Sequence, residues 1–304
     1  MVYLENFTLL DEGQEYNIAR ARREHNGGYL DNGYPCMLFT EKELRRLDFE
    51  PVTILYGGNG SGKSTLLNII ALKLGLKRIS PYNSGELLLT YVEQCRFHLG
   101  EDEEGNPAFI PGESRIITSD DVFEYMLAAR ASNDEIREDT ESEKGSYARL
   151  KHGENIHFSG MEAYDDFRLQ VLSRRKSLTR RKFLQQTVGK EVKLNSNGET
   201  ALEFFETHIE NDTLYCLDEP ENSLSPKLQL ELKALLEEKR RYCGCQFIIA
   251  THSPFILALS GAKIYDLDAV PVDVKKWWEL ENTKMYFDFF YQHRNRFLPE
   301  ENGD

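Results

Sequence analysis

The most constraining feature of this chain is the octapeptide Gly57-Gly58-Asn59-Gly60-Ser61-Gly62-Lys63-Ser64. It matches G-x-x-x-x-G-K-[ST] at every fixed position. The apolar run Val52-Thr53-Ile54-Leu55-Tyr56 precedes it, and apolar residues at helical spacing follow from Thr65 to Leu74. Strand, glycine loop and helix, in that order, form the context in which such a loop binds phosphate. Glycine lets the backbone wrap closely around an anion and adopt positive φ where a turn needs it. Successive N–H groups and the helix N-terminus then face the negative charge. Lys63 is expected to reach the β- and γ-phosphates of a nucleotide. The Ser64 hydroxyl is expected to ligate Mg²⁺, a hard cation that prefers oxygen.

Two further short apolar runs, Thr213-Leu214-Tyr215-Cys216-Leu217 and Gln246-Phe247-Ile248-Ile249-Ala250, suit central strands covered on both faces. Between them lies a helix pattern. Ser225 can cap it, Pro226 sits in its first turn, and Leu228, Leu232, Leu235 and Leu236 carry the apolar period. Its basic end, Lys239-Arg240-Arg241, complements the helix dipole. Alternating strands and helices indicate an α/β fold with right-handed crossovers.

The second run ends in Asp218-Glu219-Pro220. Asp218 is expected to hold Mg²⁺ through water, and Glu219 to act as the general base on an attacking water. Neighbouring residues on a strand point apart, so this division of labour needs the chain to turn here, and Pro220 favours a turn. Thr251-His252-Ser253-Pro254 follows the third run, and His252 is expected to sense the γ-phosphate at that strand's carboxyl end. Ser196-Asn197-Gly198-Glu199 is read either as an ordinary turn or as a helix N-terminus presented to a phosphate, with the helix running from Thr200 to His208. Asn222-Ser223-Leu224-Ser225 fits a loop linking two active sites.

The order of these motifs resembles the ABC-type ATPases. Within them the chain is most similar to the stand-alone bacterial AAA family ATPases, relatives of the SMC-like, RecF-type and overcoming-lysogenization-defect-type heads. The likeness covers about residues 50–75 and 194–270, and the tail to Phe297 also looks like the stand-alone group. It implies an ABC-type head with a mixed central β-sheet flanked by helices and a helical second lobe. One ATPase domain would span 1–304, with a core lobe of about 1–75 and 194–304 and an inserted lobe of about 76–193. It implies ATP and Mg²⁺ as ligands, with Gly57, Asn59, Gly60, Ser61, Gly62, Lys63, Ser64 and Thr65 around the nucleotide. It further implies a head-to-tail homodimer with two ATP between the subunits. Ser196, Asn197, Gly198 and Glu199 of one subunit would complete the site of the other, Ser223 and Ser225 would cross the interface, and His252 would be the switch histidine. The activity would be ATP hydrolysis coupled to DNA or to an effector protein, as in repair or anti-phage defence. An ATP-state regulatory module and a transporter ATPase subunit are the alternatives. Asn197 and Glu199 stand where transporter ATPases usually carry Gly and Gln, which favours the SMC-like side. Gln94 and the segment Arg115–Asp120, which reads as a strand and a helix cap but holds no glutamine, are both candidates for the Q-loop of that family, and no adenine-stacking aromatic ahead of the glycine loop is assigned.

Composition narrows the setting. The net charge of −14 does not suit a general nucleic-acid coat. No apolar run approaches the roughly 20 residues that span a bilayer, so no direct membrane insertion is expected. The five cysteines, odd in number and irregular in spacing, fit a cytoplasmic protein with reduced thiols. The basic segment from Arg168 to Lys182 is either a nucleic-acid contact or a solvated helix face, the latter being favoured. The aromatic tail, including Trp277, Trp278, Phe287, Phe289 and Phe290, is either a partner-binding surface or a helix that closes the core, the latter being favoured. Asp266 and Asp268 are read as ordinary acids at a strand end.

Overall fold

The computed structural model describes residues 2–25, 33–81, 85–101, 105–131 and 196–297. The basic segment from Arg168 to Lys182 lies outside the described residues. The chain divides into two compact units, Met1–Phe123 with Ala201–Asp304, and Glu124–Thr200.

The strands are β1 (Leu4–Thr8), β2 (Arg46–Asp48), β3 (Val52–Tyr56), β4 (Arg96–Leu99), β5 (Arg115–Thr118), β6 (Leu214–Asp218), β7 (Gln246–Thr251), β8 (Lys263–Asp266) and β9 (Asp273–Lys275). The helices are α1 (Glu12–His25), α2 (Lys63–Leu74), α3 (Glu86–Gln94), α4 (119–131), α5 (Asn197–His208), α6 (Pro226–Tyr242), α7 (Pro254–Leu257) and α8 (Glu281–Gln292). A six-stranded sheet of order β5-β6-β7-β3-β8-β9 forms the centre of the larger unit. Its first five strands run parallel, and β9 is antiparallel to β8. The antiparallel sheet β2-β1-β4 lies beside it.

The continuous apolar runs become the middle of the large sheet because both of its faces are covered. Every residue of β3 and β7 is buried. Helix α2 buries Leu66, Leu67, Ile69, Ile70 and Ala71, and packs against β5, β6 and β7. The buried Gln246 amide ties the two sheets together. Its Oε1 accepts from the Tyr3 and Leu4 N–H groups, and its Nε2 donates to the Leu4 carbonyl. Such a polar group is tolerated in the core because it is fully hydrogen-bonded. At α6, the Ser225 side chain accepts from the Leu228 N–H, Pro226 opens the helix, and Leu232 and Leu236 are fully buried.

The tail does not close the core as expected. Along α8 only Thr283 is buried, and Tyr286, Phe287, Phe289, Phe290 and Tyr291 are about half exposed or more. The residue that enters the core is Leu280, immediately before the helix. The reason is helical geometry. Aromatics crowded into nearly consecutive positions spread over more than half of the helix circumference, wider than the stripe that a surface helix packs on a core. They pack on one another instead, as Phe287 stacks on Tyr291.

Candidate active site

β6, β7 and β3 are adjacent in the sheet, and each delivers a sequence motif at its carboxyl end. The loop after β3 is built by glycine. A Cβ on Gly57 would sit 2.5 Å from Ser61 Oγ, and Gly60 and Gly62 hold φ of +81° and +99°. Lys63 opens α2 with its side chain buried, and its Nζ donates to the Gly57 and Gly58 carbonyls at 2.7 and 3.0 Å. A phosphate oxygen would offer that ammonium a stronger, charge-assisted partner. The Ser64 hydroxyl donates to Asp218 Oδ1 at 3.0 Å. Burial pushes the Asp218 carboxyl up from 3.8 to about 6. The Ser64 hydrogen bond opposes that shift and the neighbouring Glu219 adds to it. A half-buried carboxyl that resists ionisation beside a hydroxyl is a setting that a divalent cation would satisfy.

The chain turns at Glu219, which adopts a φ of +48° while its N–H donates to the Ala250 carbonyl. Such a left-handed, non-glycine residue is strained, and the turn separates the two acids. Asn222 Nδ2 donates to Glu219 Oε2 at 3.0 Å. His252 follows β7 directly, and its Nδ1 lies 3.9 Å from Glu219 Oε1. Lys63, Ser64, Asp218, Glu219 and His252 therefore gather at the carboxyl ends of the central strands.

Ser196, Asn197, Gly198 and Glu199 lie in the smaller unit. The helix begins at Asn197, three residues ahead of the expected start. Ser196 and Glu199 form a reciprocal capping box: the Ser196 N–H donates to Glu199 Oε2 at 2.7 Å, and the Glu199 N–H to Ser196 Oγ at 3.4 Å. Asn197 Oδ1 accepts from Arg130 Nε.

Three contributors escaped the sequence reading. The segment from Tyr34 to Phe39 lies over the glycine loop, where a Cβ on Gly62 would meet Phe39 at 3.2 Å. The Tyr34 hydroxyl donates to Thr65 Oγ1 at 2.9 Å, and Tyr34 and Leu38 line a cleft of about 350 Å³ with Asn59, Lys63, Thr65 and Glu219. The run of apolar and aromatic residues ahead of the loop is the signal that marks this segment. Asp268 is not an ordinary strand-end acid: its Oδ2 accepts from the Gly58 N–H at 2.7 Å. Glu221, whose Oε1 accepts from Thr251, His252 and Ser253, is the third. Of the two candidates for the Q-loop, Arg115–Asp120 is the one whose strand ends opposite Asp218, through the pair Thr118–Asp218.

A glycine loop opening a helix, with an acid pair and a histidine on the neighbouring parallel strands, defines a P-loop ATPase of the ABC type. A family model described as "ABC transporter" matches residues 46–222, more than half of the chain, and the chain belongs to that family. A second model, "AAA domain, putative AbiEii toxin, Type IV TA system", matches residues 196–258. No curated protein matches. Similar solved structures include the Smc head domain from Pyrococcus furiosus, at 13% identity, covering 80% of this chain and 94% of that one with a TM-score of 0.40. The SMC head domain from Thermotoga maritima is 15% identical and covers 87% and 94%, with a TM-score of 0.38. A component of an ABC transporter complex from Clostridium perfringens is 17% identical and covers 84% and 88%, with a TM-score of 0.34. Among the described residues no helix is long and apolar enough to cross a membrane, and the five cysteines are free.

Proposed function

We propose that this chain binds ATP with Mg²⁺ and hydrolyses it, two copies closing head-to-tail over two nucleotides. The observation that supports this best is the convergence of Lys63, Ser64, Asp218, Glu219 and His252 at the carboxyl ends of three adjacent strands. In this reading the N–H groups of residues 59–65 cradle the phosphates, and Lys63 exchanges its loop carbonyls for phosphate oxygens. Ser64 and Asp218 would hold Mg²⁺, which supplies charge neutralisation on the phosphates. Glu219, turned away from Asp218 and steadied by Asn222, orients the attacking water and takes its proton. His252 contacts the γ-phosphate, and Tyr34 faces the nucleoside side of the cleft. Ser196, Asn197 and Gly198 of the second copy close the site, with Glu199 acting through its capping box. One ATPase domain carries these parts, and hydrolysis removes the phosphate that joins the two copies.

The released contact would drive action on DNA or on a partner protein in the cytoplasm. The family description favours one other reading, a transporter ATPase subunit, which recovery of the protein with an integral membrane partner would establish. The test of the main reading is phosphate release from Mg-ATP together with light scattering. The parent protein should turn over. Glu219→Gln should bind ATP, run as a dimer and release phosphate at least about 100-fold more slowly. Equal rates for the two proteins would overturn the assignment, and binding without turnover in both would make the chain a regulatory module. Duplex DNA that changes neither rate nor dimerisation at fixed salt would remove the DNA branch.

A further inference from the structure

We infer that Glu221 is a positioning residue that holds the Thr251–Ser253 backbone so that the His252 ring faces Glu219. This rests on the ATPase reading of that site.

Glu221 stands three residues past Asp218, in a tight turn closed by hydrogen bonds from the Asn222 N–H to the Glu219 carbonyl and from the Leu224 N–H to the Glu221 carbonyl. Its side chain is only 5% exposed. One oxygen, Oε1, accepts from the Thr251 hydroxyl at 2.5 Å and from the His252 and Ser253 N–H groups at 3.2 Å each. All three donors are consecutive: Thr251 ends β7, and His252 and Ser253 join it to α7. The other oxygen, Oε2, is buried with no hydrogen-bond partner among the described residues.

Burying a carboxyl group is costly unless its hydrogen bonds are made, and half of this one is left unmet. An apolar side chain would fill the same space at lower cost. What an apolar side chain cannot do is collect three donors from one loop. Ser253 is held from its far side as well: its hydroxyl donates to Gln229 Oε1, and Gln229 Nε2 donates to the Leu224 carbonyl. The backbone around His252 is thus clamped from both ends. The ring itself is not. Its Nδ1 lies 3.9 Å from both Glu219 Oε1 and Glu221 Oε1, beyond hydrogen-bond reach. The point from which the ring projects is therefore set by its main chain, and Glu221 holds that main chain through the Thr251, His252 and Ser253 donors. A misplacement of about 1 Å in such a group can cost on the order of 100-fold in rate.

The experiment compares Glu221→Ala, Glu221→Gln and Thr251→Val in the parent and in a His252→Ala background, using the full chain. Glu221→Ala should lower kcat by roughly 10- to 100-fold while Mg-ATP affinity stays within about threefold. Glu221→Gln keeps an acceptor oxygen and should recover the rate to within about threefold. Thr251→Val removes one donor while keeping the shape, and should lose a smaller factor. In the His252→Ala background each of these losses should vanish, because Glu221 acts through that ring. Losses that multiply across the two backgrounds, or a Glu221→Ala enzyme with parental kcat, would overturn the inference. The imidazole NMR signal of His252 decides the matter without turnover. It should change in Glu221→Ala and return in Glu221→Gln, and an unchanged signal in Glu221→Ala would overturn the inference even if the parent released no phosphate.

Discussion

Strand β7 buries all six of its residues, whereas α8 buries one of its twelve. Both carry dense chemistry, yet only the strand is fixed by the core around it. β7 lies between β6 and β3 and delivers His252 to a position that two neighbouring strands also reach. α8 carries its aromatics on a surface that contributes little to the core. The difference teaches that a precise site is built where the backbone is over-determined, and that a conspicuous cluster of large side chains is not by itself a core. Substitutions should separate accordingly.

The largest effect should come from the strand. Ile249→Ala, at a fully buried position, should destabilise the protein by about 4 kcal/mol in urea unfolding. A loss below about 1 kcal/mol would break the contrast with α8. Next comes the loop that β3 delivers. Gly57→Ala places a Cβ against Ser61 and should weaken Mg-nucleotide binding by about 100-fold, or about 2.7 kcal/mol, as titration calorimetry would read. A smaller change should appear at Asp218 and with the opposite sign in stability. Because burial raises its folded pKa from 3.8 to about 6, its contribution is favourable below pH 3.8 and is lost as pH rises through about 6. Asp218→Asn should therefore stabilise the nucleotide-free protein at pH 8 by about 1–2 kcal/mol while abolishing turnover. That gain should disappear at pH 4, and its persistence there would contradict the assigned cause. The smallest effect belongs to the helix. Phe287→Ser should shift unfolding by less than about 0.5 kcal/mol.

The same contrast explains what could be read in the sequence. Motifs that are contiguous and follow an apolar run were legible, because a run such as Val52–Tyr56 or Gln246–Ala250 states both its burial and its direction. The acid pair and His252 followed from those strands. Glu221 was not legible. In Asp-Glu-Pro-Glu it looks like one more acid, and its partners lie some thirty residues away. Asp268 is hidden in the same way, since its partner Gly58 is joined to it only by the pairing of β3 with β8. Ser196-x-x-Glu199 did carry a capping signature, but a phosphate-facing turn draws on the same small residues. The tail was misjudged because aromatic content was weighed without its helical spacing.

Every role assigned at this site requires the loop around Lys63 to take a nucleotide. Calorimetric titration of the purified protein with a non-hydrolysable ATP analogue and Mg²⁺, beside Lys63→Ala, addresses this directly. Saturable binding by the parent that falls by at least about 100-fold in the variant is the predicted result. Equal titration curves for the two proteins would contradict it.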